Sequence, residues 1–429
     1  MRVLILGGYG LIGADIARAL LSEGFDVVAL GRDAEFGRRI LPEADWIGAD
    51  IAKLTSPEDW KAPLDRVGAV VNASGALQDG ARDRLAAVQD KAIRALIAAA
   101  ESSAKIFVQI SAPGATPDAS TAFLRTKAAA DDALRNSALD WVIFKPGLVV
   151  GRNAAGGTAL LRTLAGFPLA APLVLGDARL QTVAMSDVAR AVVMALKGAA
   201  PLRADYDLGE NESRTLRETV LLFRRWLGFR GARAIALPRW VGGAVAALAD
   251  LAGLLGWRSP LRSTSLKVLS GNVVCDGAPW TTATGMTFKT LDDTLAQSPA
   301  TAQDRLFARA QIVLPMLIVV LAAYWIVSGA VGFVALDTAA AHLVGAVDAR
   351  AARALVGAAS AVDIVIGAGL LVRATTRGFA VVSIAVAAFY LAAGTIIAPE
   401  LWLDPLGVLV KVVPAIALAA AVALLMTER

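Results

Sequence analysis

A single cysteine, Cys275, and a single histidine, His342, stand in 429 residues. One thiol cannot close an intrachain disulfide. One imidazole argues against a His-based metal centre and a Ser-His-Asp triad, so no metal site is expected. Charge is also scarce: charged residues make up 18% of the chain, hydrophobic ones 56%, and mean hydropathy is +0.59. Soluble domains carry more charge, about 25%, so part of this chain is expected to sit in lipid. The net charge is only +5. No basic run with interleaved aromatics occurs, which argues against a nucleic-acid partner. No signal peptide precedes the apolar run that starts at residue 2, so the N-terminal half is expected on the cytoplasmic side.

What is present begins at the first residue. Arg2 to Leu6 is an aliphatic run that reads as a buried parallel strand. Glycines follow at 7, 8, 10 and 13, and helical spacing starts at Ala14. A strand, a glycine turn and a helix leave backbone N–H groups at a helix N-terminus, where a pyrophosphate binds. Further strands are expected at 26–30, 45–49, 68–72, 105–110 and 141–145, with a long Ala-rich helix over Arg82–Glu101. Alternation of this kind implies an α/β fold with a doubly wound parallel sheet, whose ligands bind beyond the C-terminal strand ends.

The spacing Gly7-x-x-Gly10-x-x-Gly13 resembles the glycine turn of extended and atypical short-chain dehydrogenase/reductases. An ordinary tight turn is the alternative. The resemblance sets Tyr9, Leu11 and Ile12 beside the glycines against a nicotinamide dinucleotide. After the second strand comes Gly31-Arg32-Asp33. A guanidinium can take a 2′-phosphate bidentately, so Arg32 points to NADP, with NAD as the alternative if Asp33 takes the ribose. Asp50-Ile51 resembles the family's adenine contact, and Asn72-Ala73-Ser74-Gly75 its small-residue motif along the cofactor. Turn chemistry accounts for either one alone.

The family's catalytic set is a Ser after the fifth strand and a Tyr-x-x-x-Lys on the next helix. Ser111 and Lys127 match it, and the Tyr position is Phe123. Phe has no proton to transfer, so the usual acid/base step cannot run there. Ser111 can still bond a substrate carbonyl, and Lys127 the nicotinamide ribose. The bland readings are a strand-end turn and a solvated helix face. Lys145-Pro146-Gly147 resembles the family's Arg-Pro turn, with Pro146 beside the cofactor. Ser186-Asp187-Val188-Ala189 resembles a later helix start. The resemblance spans residues 1 to 230.

Residues 231–304 are expected to form a substrate lobe or linker. Within it Val241–Leu255 is apolar but too short for a confident span, so a buried or membrane-interfacial helix is expected. Residues 305–429 hold four apolar stretches at about 312–336, 354–372, 378–398 and 405–426, each near the roughly 20 residues that cross a bilayer. Arg305, Arg309, Arg373 and Arg377 are expected to face the cytoplasm and so to put both termini inside, with Arg350 and Arg353 a mild exception. The expected product is a multi-pass protein of the cell inner membrane with a cytoplasmic N-terminal domain. Tyr324-Trp325-Ile326-Val327-Ser328-Gly329 and the segment Trp402–Lys411 resemble a DoxX-like membrane domain. Asp363 and Lys411 lie inside two of the stretches. They either pair or line a polar pocket, or else Lys411 snorkels outward and Asp363 is protonated.

These resemblances imply a membrane-anchored, NAD(P)H-binding oxidoreductase acting on a lipophilic carbonyl or quinone-type substrate. Two alternatives remain: a nucleotide-binding scaffold like the accessory dehydrogenase-like subunits of respiratory complex I, with a membrane-protein partner, and an NmrA-like redox sensor.

Overall fold

A computed structural model describes residues 1–76, 79, 84–104, 106–231, 233–344, 347–405 and 407–426. Two compact units emerge. The first is Met1–Gly253 with Arg258–Ala308, and the second is Leu254–Trp257 with Arg309–Arg429.

The first unit is built on a seven-stranded sheet. Its strands are β1 (Arg2–Leu6), β2 (Asp26–Gly31), β3 (Asp45–Gly48), β4 (Ala69–Asn72), β5 (Ile106–Ile110), β6 (Asp140–Pro146) and β7 (Ala204–Leu208), in the order β7-β6-β5-β4-β1-β2-β3. Every neighbouring pair is parallel. A parallel sheet buried on both faces needs apolar residues at successive positions. In β1, Val3 and Ile5 enter the core on one face, and Leu4 and Leu6 the core on the other. Strand order reverses between β1 and β4, and ligands bind in the crevice at such a switch point. The helix expected over Arg82–Glu101 starts among residues outside the described ones; Ala92–Ala100 is helical, after a wider turn at Ala86–Lys91. Lys105, expected to open the fifth strand, also lies outside them.

Three helices of this unit matter below. Helix α1 (Leu11–Ser22) follows the glycine turn, α2 (Ala122–Arg135) follows β5, and α3 (Arg239–Leu254) closes the stretch before Leu254–Trp257.

The second unit is helical, and its first long helix begins within the first unit, at residues 302–308. Helices α4 (Ala302–Val334), α5 (Ala349–Leu371) and α6 (Thr376–Ile397) are long and apolar enough to cross a membrane. The fourth stretch differs from its expected extent. It is helical only as α7 (Val412–Leu425), 14 residues or about 21 Å long. Gly407 adopts φ +65°, which turns the chain before the helix can begin. Lys411 is therefore the cap of α7 and lies outside its body. Leu406, part of the DoxX-like segment, lies outside the described residues.

Candidate functional site

The glycine turn is shaped by backbone crowding. Gly7 takes φ +73°, and its N–H donates to the Leu30 carbonyl at 3.1 Å. A Cβ on Gly13 would lie 2.3 Å from the Gly7 carbonyl oxygen, and one on Gly10 3.0 Å from it. Only glycine permits α1 to start this close to β1. Gly10 caps α1 without a side-chain bond, so the first N–H groups of the helix face the crevice with no side-chain acceptor. Leu11 and Ile12 open α1 and pack against the core. This cradle, which a Cβ would fill, fits a dinucleotide pyrophosphate.

Tyr9 lies over the end of β2. Its hydroxyl accepts the Asp33 N–H at 3.2 Å, and its ring stacks on Trp46 at 5.8 Å. A Cβ on Gly31 would come within 2.3 Å of that ring, which explains the glycine before Arg32. Arg32 is exposed just beyond β2. The Asp33 carboxylate caps the next helix by accepting Phe36 N–H at 2.8 Å. Asp50 accepts Ala52 N–H at 3.2 Å and so caps a short helical turn, while Ile51 is buried in the second core.

The motif after β4 is pinned from within. Asn72 donates to Gln109 Oε1 at 2.8 Å and accepts Ser74 N–H at 3.0 Å. Ala73 continues the loop and donates its N–H to the Leu6 carbonyl at 3.2 Å. The Ser74 carbonyl accepts Lys127 Nζ at 3.1 Å, and the Ile110 carbonyl accepts it at 2.8 Å. The lysine is only 5% exposed. Burial pushes its ammonium down to about 8, against the pull of Asp131 one turn further along α2.

Ser111 also turns inward. Its backbone N–H donates to Phe144 O at 2.7 Å, and its hydroxyl donates to Asp131 Oδ2. Asp131 is fully buried, and its other oxygen, Oδ1, has no partner. Burial raises its carboxyl above the usual range, while the Ser111 hydroxyl, Lys127, Arg135 and Lys145 pull the other way. Phe123 stands in the first turn of α2, half-buried. Pro146 ends β6, and beside it Lys145 bonds Asp205 at 2.7 Å. Ser111, Lys127, Ser74 and Asn72 thus form one connected cluster at the strand ends. Tyr9 and Arg32 lie apart from it, at the end of β2.

Sequence reasoning missed Asp131 and Gln109. Asp131 follows Lys127 by four residues, so both share one face of α2. That spacing was a usable signal. Gln109 lies mid-motif on a strand, and no local pattern marks it.

In the second unit, Asp363 of α5 is buried and accepts Ser328 Oγ of α4 at 2.8 Å and Tyr390 Oη of α6 at 3.0 Å. Each carboxylate oxygen has its own donor, and neither is Lys411, so of the readings left open above the direct pair is not formed. Lys411 stands at the N-cap of α7. Glycines bring α4 and α5 together, since a Cβ on Gly329 would lie 2.4 Å from Ser360 O and one on Gly367 2.8 Å from Ala322 O.

Comparison with known proteins agrees with this division. Residues 7–199 match the NAD(P)H-binding family model, and residues 322–420 match the DoxX-like family. A mitochondrial "NADH dehydrogenase [ubiquinone] 1 alpha subcomplex subunit 9" of Arabidopsis thaliana is 26% identical over 255 residues, covering 55% of this chain and 62% of that protein. An uncharacterised chloroplastic protein of the same plant is 26% identical over 175 residues, covering 39% and 57%. The chain thus spans about three fifths of the length of these curated relatives. Among solved structures, the enzyme WbmG of Bordetella bronchiseptica in complex with NAD superposes with TM-score 0.52 at 19% identity, over 69% of this chain and 92% of that one. UDP-glucose 4-epimerase from Thermotoga maritima gives 0.53 at 16%, over 73% and 100%. At these identities the likeness is one of fold. The chain therefore joins a Rossmann-fold domain that matches the NAD(P)H-binding family to a C-terminal helical domain that matches the DoxX-like family.

Proposed function

We propose that the protein is a membrane-bound NADP(H)-dependent oxidoreductase whose substrate is a lipophilic carbonyl or quinone. The observation that carries it is the glycine cradle at the switch point, with exposed Arg32 one strand away. In this reading the Gly7–Gly13 turn and the start of α1 hold the pyrophosphate. Arg32 takes the 2′-phosphate, because Asp33 is committed to its helix cap. Asp50 and Ile51 border the adenine side. Asn72, Ala73, Ser74, Lys127 and Pro146 border the nicotinamide half. The bound cofactor supplies hydride, and Ser111 bonds the acceptor's carbonyl once its hydroxyl turns away from Asp131. Phe123 supplies no proton, so a quinone, which takes its proton from water after reduction, suits the site better than a simple ketone. The membrane domain holds the protein at the bilayer where such a substrate dissolves, with the first unit in the cytoplasm and the spans in the inner membrane.

A second reading has its own support. Phe123, the inward Ser111 hydroxyl and the carbonyl-bound Lys127 also fit a nucleotide-binding scaffold or sensor without turnover. NADPH oxidation by the protein in liposomes containing decylubiquinone separates the two. Turnover that disappears in Gly13→Val supports the oxidoreductase. Binding of NADPH without turnover, together with a co-purifying membrane protein, supports the scaffold.

A further inference from the structure

Helix α3 is apolar on both sides, with its small residues inside. Gly242, Ala246, Ala249 and Gly253 are buried, spaced four, three and four apart. A Cβ on Gly242 would lie 2.8 Å from Val174 Cγ1, so the helix is seated closely. Its larger side chains face the other way: Trp240 is 74% exposed, Leu248 68%, Leu251 59% and Leu254 77%. From Val241 to Gly256 the only ionisable residue is Asp250, whose carboxylate is held by Arg262 Nε at 2.9 Å. A helix that faces water carries polar residues outward, and this one does the reverse over four turns.

The chain itself indicates what covers that face. Leu254–Trp257 groups with the membrane unit. Trp257 Nε1 donates to Leu371 O at 2.7 Å, at the end of α5, and the Arg373 guanidinium lies over the Trp257 ring at 5.6 Å. Trp beside Arg at the end of a span is the signature of the headgroup layer. Trp257 lies six residues after Leu251, and a chain reaches at most ~3.5 Å per residue, so the outer face of α3 ends within about 20 Å of that layer.

We propose that α3 is an in-plane membrane helix, with Trp240, Leu248, Leu251 and Leu254 inserted into the leaflet where α5 ends. Arg239 and Arg258, flanking the helix, then meet anionic headgroups. The surface is independent of the cofactor and of any reaction.

The test is site-directed spin labelling of the full chain in vesicles of phosphatidylcholine and phosphatidylglycerol. In a Cys275→Ser background, single thiols are introduced as Leu248→Cys, Leu251→Cys and, for a water-facing reference, Lys61→Cys. The proposal predicts that labels at 248 and 251 collide more with dissolved oxygen than with a water-soluble nickel chelate, and that the order reverses at 61. Greater nickel access at 248 and 251 would overturn it in favour of a bare aqueous face. Low access to both reagents would overturn it in favour of a protein partner or a second copy. Two independent label sites keep the result readable if one variant folds poorly.

Discussion

Ser111 and Asp131, twenty residues apart, share a buried hydrogen bond in which the serine hydroxyl donates to the carboxylate. It ties the end of β5 to the middle of α2 and fixes where Lys127 stands. Asp131→Leu would leave that hydroxyl unpaired in the core, at a cost of about 1–3 kcal/mol. Asp131→Asn keeps an acceptor and should cost less. Because burial raises the Asp131 carboxyl, the folded state holds its proton to higher pH than the unfolded chain. Wild-type stability should therefore fall as pH rises from the ordinary carboxylate range toward neutrality, and Asp131→Asn should flatten that part of the curve. Chemical unfolding of the detergent-solubilised protein across that range checks both points.

Lys127 has the opposite sign of effect. Its ammonium is pushed from the ordinary 10.5 to about 8 by burial. Between those values the unfolded chain binds more protons, so stability should rise with pH over that window, by up to about 3 kcal/mol. Lys127→Met should abolish the rise. The same unfolding series, extended to pH 10.5, measures it, and a flat wild-type curve would argue against the buried ammonium.

Gly13→Val places a branched side chain where even a Cβ would meet the Gly7 carbonyl at 2.3 Å. Backbone cannot yield as a flexible side chain does. The variant should lose cofactor binding by at least tenfold, about 1.4 kcal/mol. Equilibrium dialysis with NADPH reads the loss, and circular dichroism confirms that the sheet remains.

Within the membrane domain, Asp363 answers to Ser328 and Tyr390. A double-mutant cycle of Asp363→Asn with Tyr390→Phe should show coupling above about 0.5 kcal/mol. The cycle of Asp363→Asn with Lys411→Met should be additive within about 0.5 kcal/mol. Unfolding in mixed micelles supplies the four stabilities of each cycle, and coupling to Lys411 would restore the ion pair that the geometry lacks.

Much of this was legible before any coordinates. Aliphatic runs bounded by glycines marked β1 and β2 because a strand buried on both faces admits little else. The spacing of Gly7, Gly10 and Gly13 marked the turn because a Cβ there has nowhere to go. The site was less legible. Asp50 and Asn72 were read as cofactor contacts, yet each also makes local bonds that hold its own loop. Side-chain bonds of that kind leave no periodic trace. The fourth apolar stretch misled for a similar reason: hydropathy sums over Pro405 and Gly407 without registering that the chain turns there. The reading in which Asp363 and Lys411 pair takes both as lying inside full spans, whereas Lys411 caps a helix of 14 residues and Asp363 is bonded by Ser328 and Tyr390.

The most direct test of the account is a titration of the detergent-purified protein with NADPH and with NADH, followed by quenching of tryptophan fluorescence, on wild type and on Arg32→Ala. The account predicts that NADPH binds more tightly than NADH in the wild type and that Arg32→Ala removes most of that preference while leaving NADH binding unchanged. Failure of both nucleotides to bind wild-type protein would contradict it, leaving a Rossmann fold kept for its shape alone.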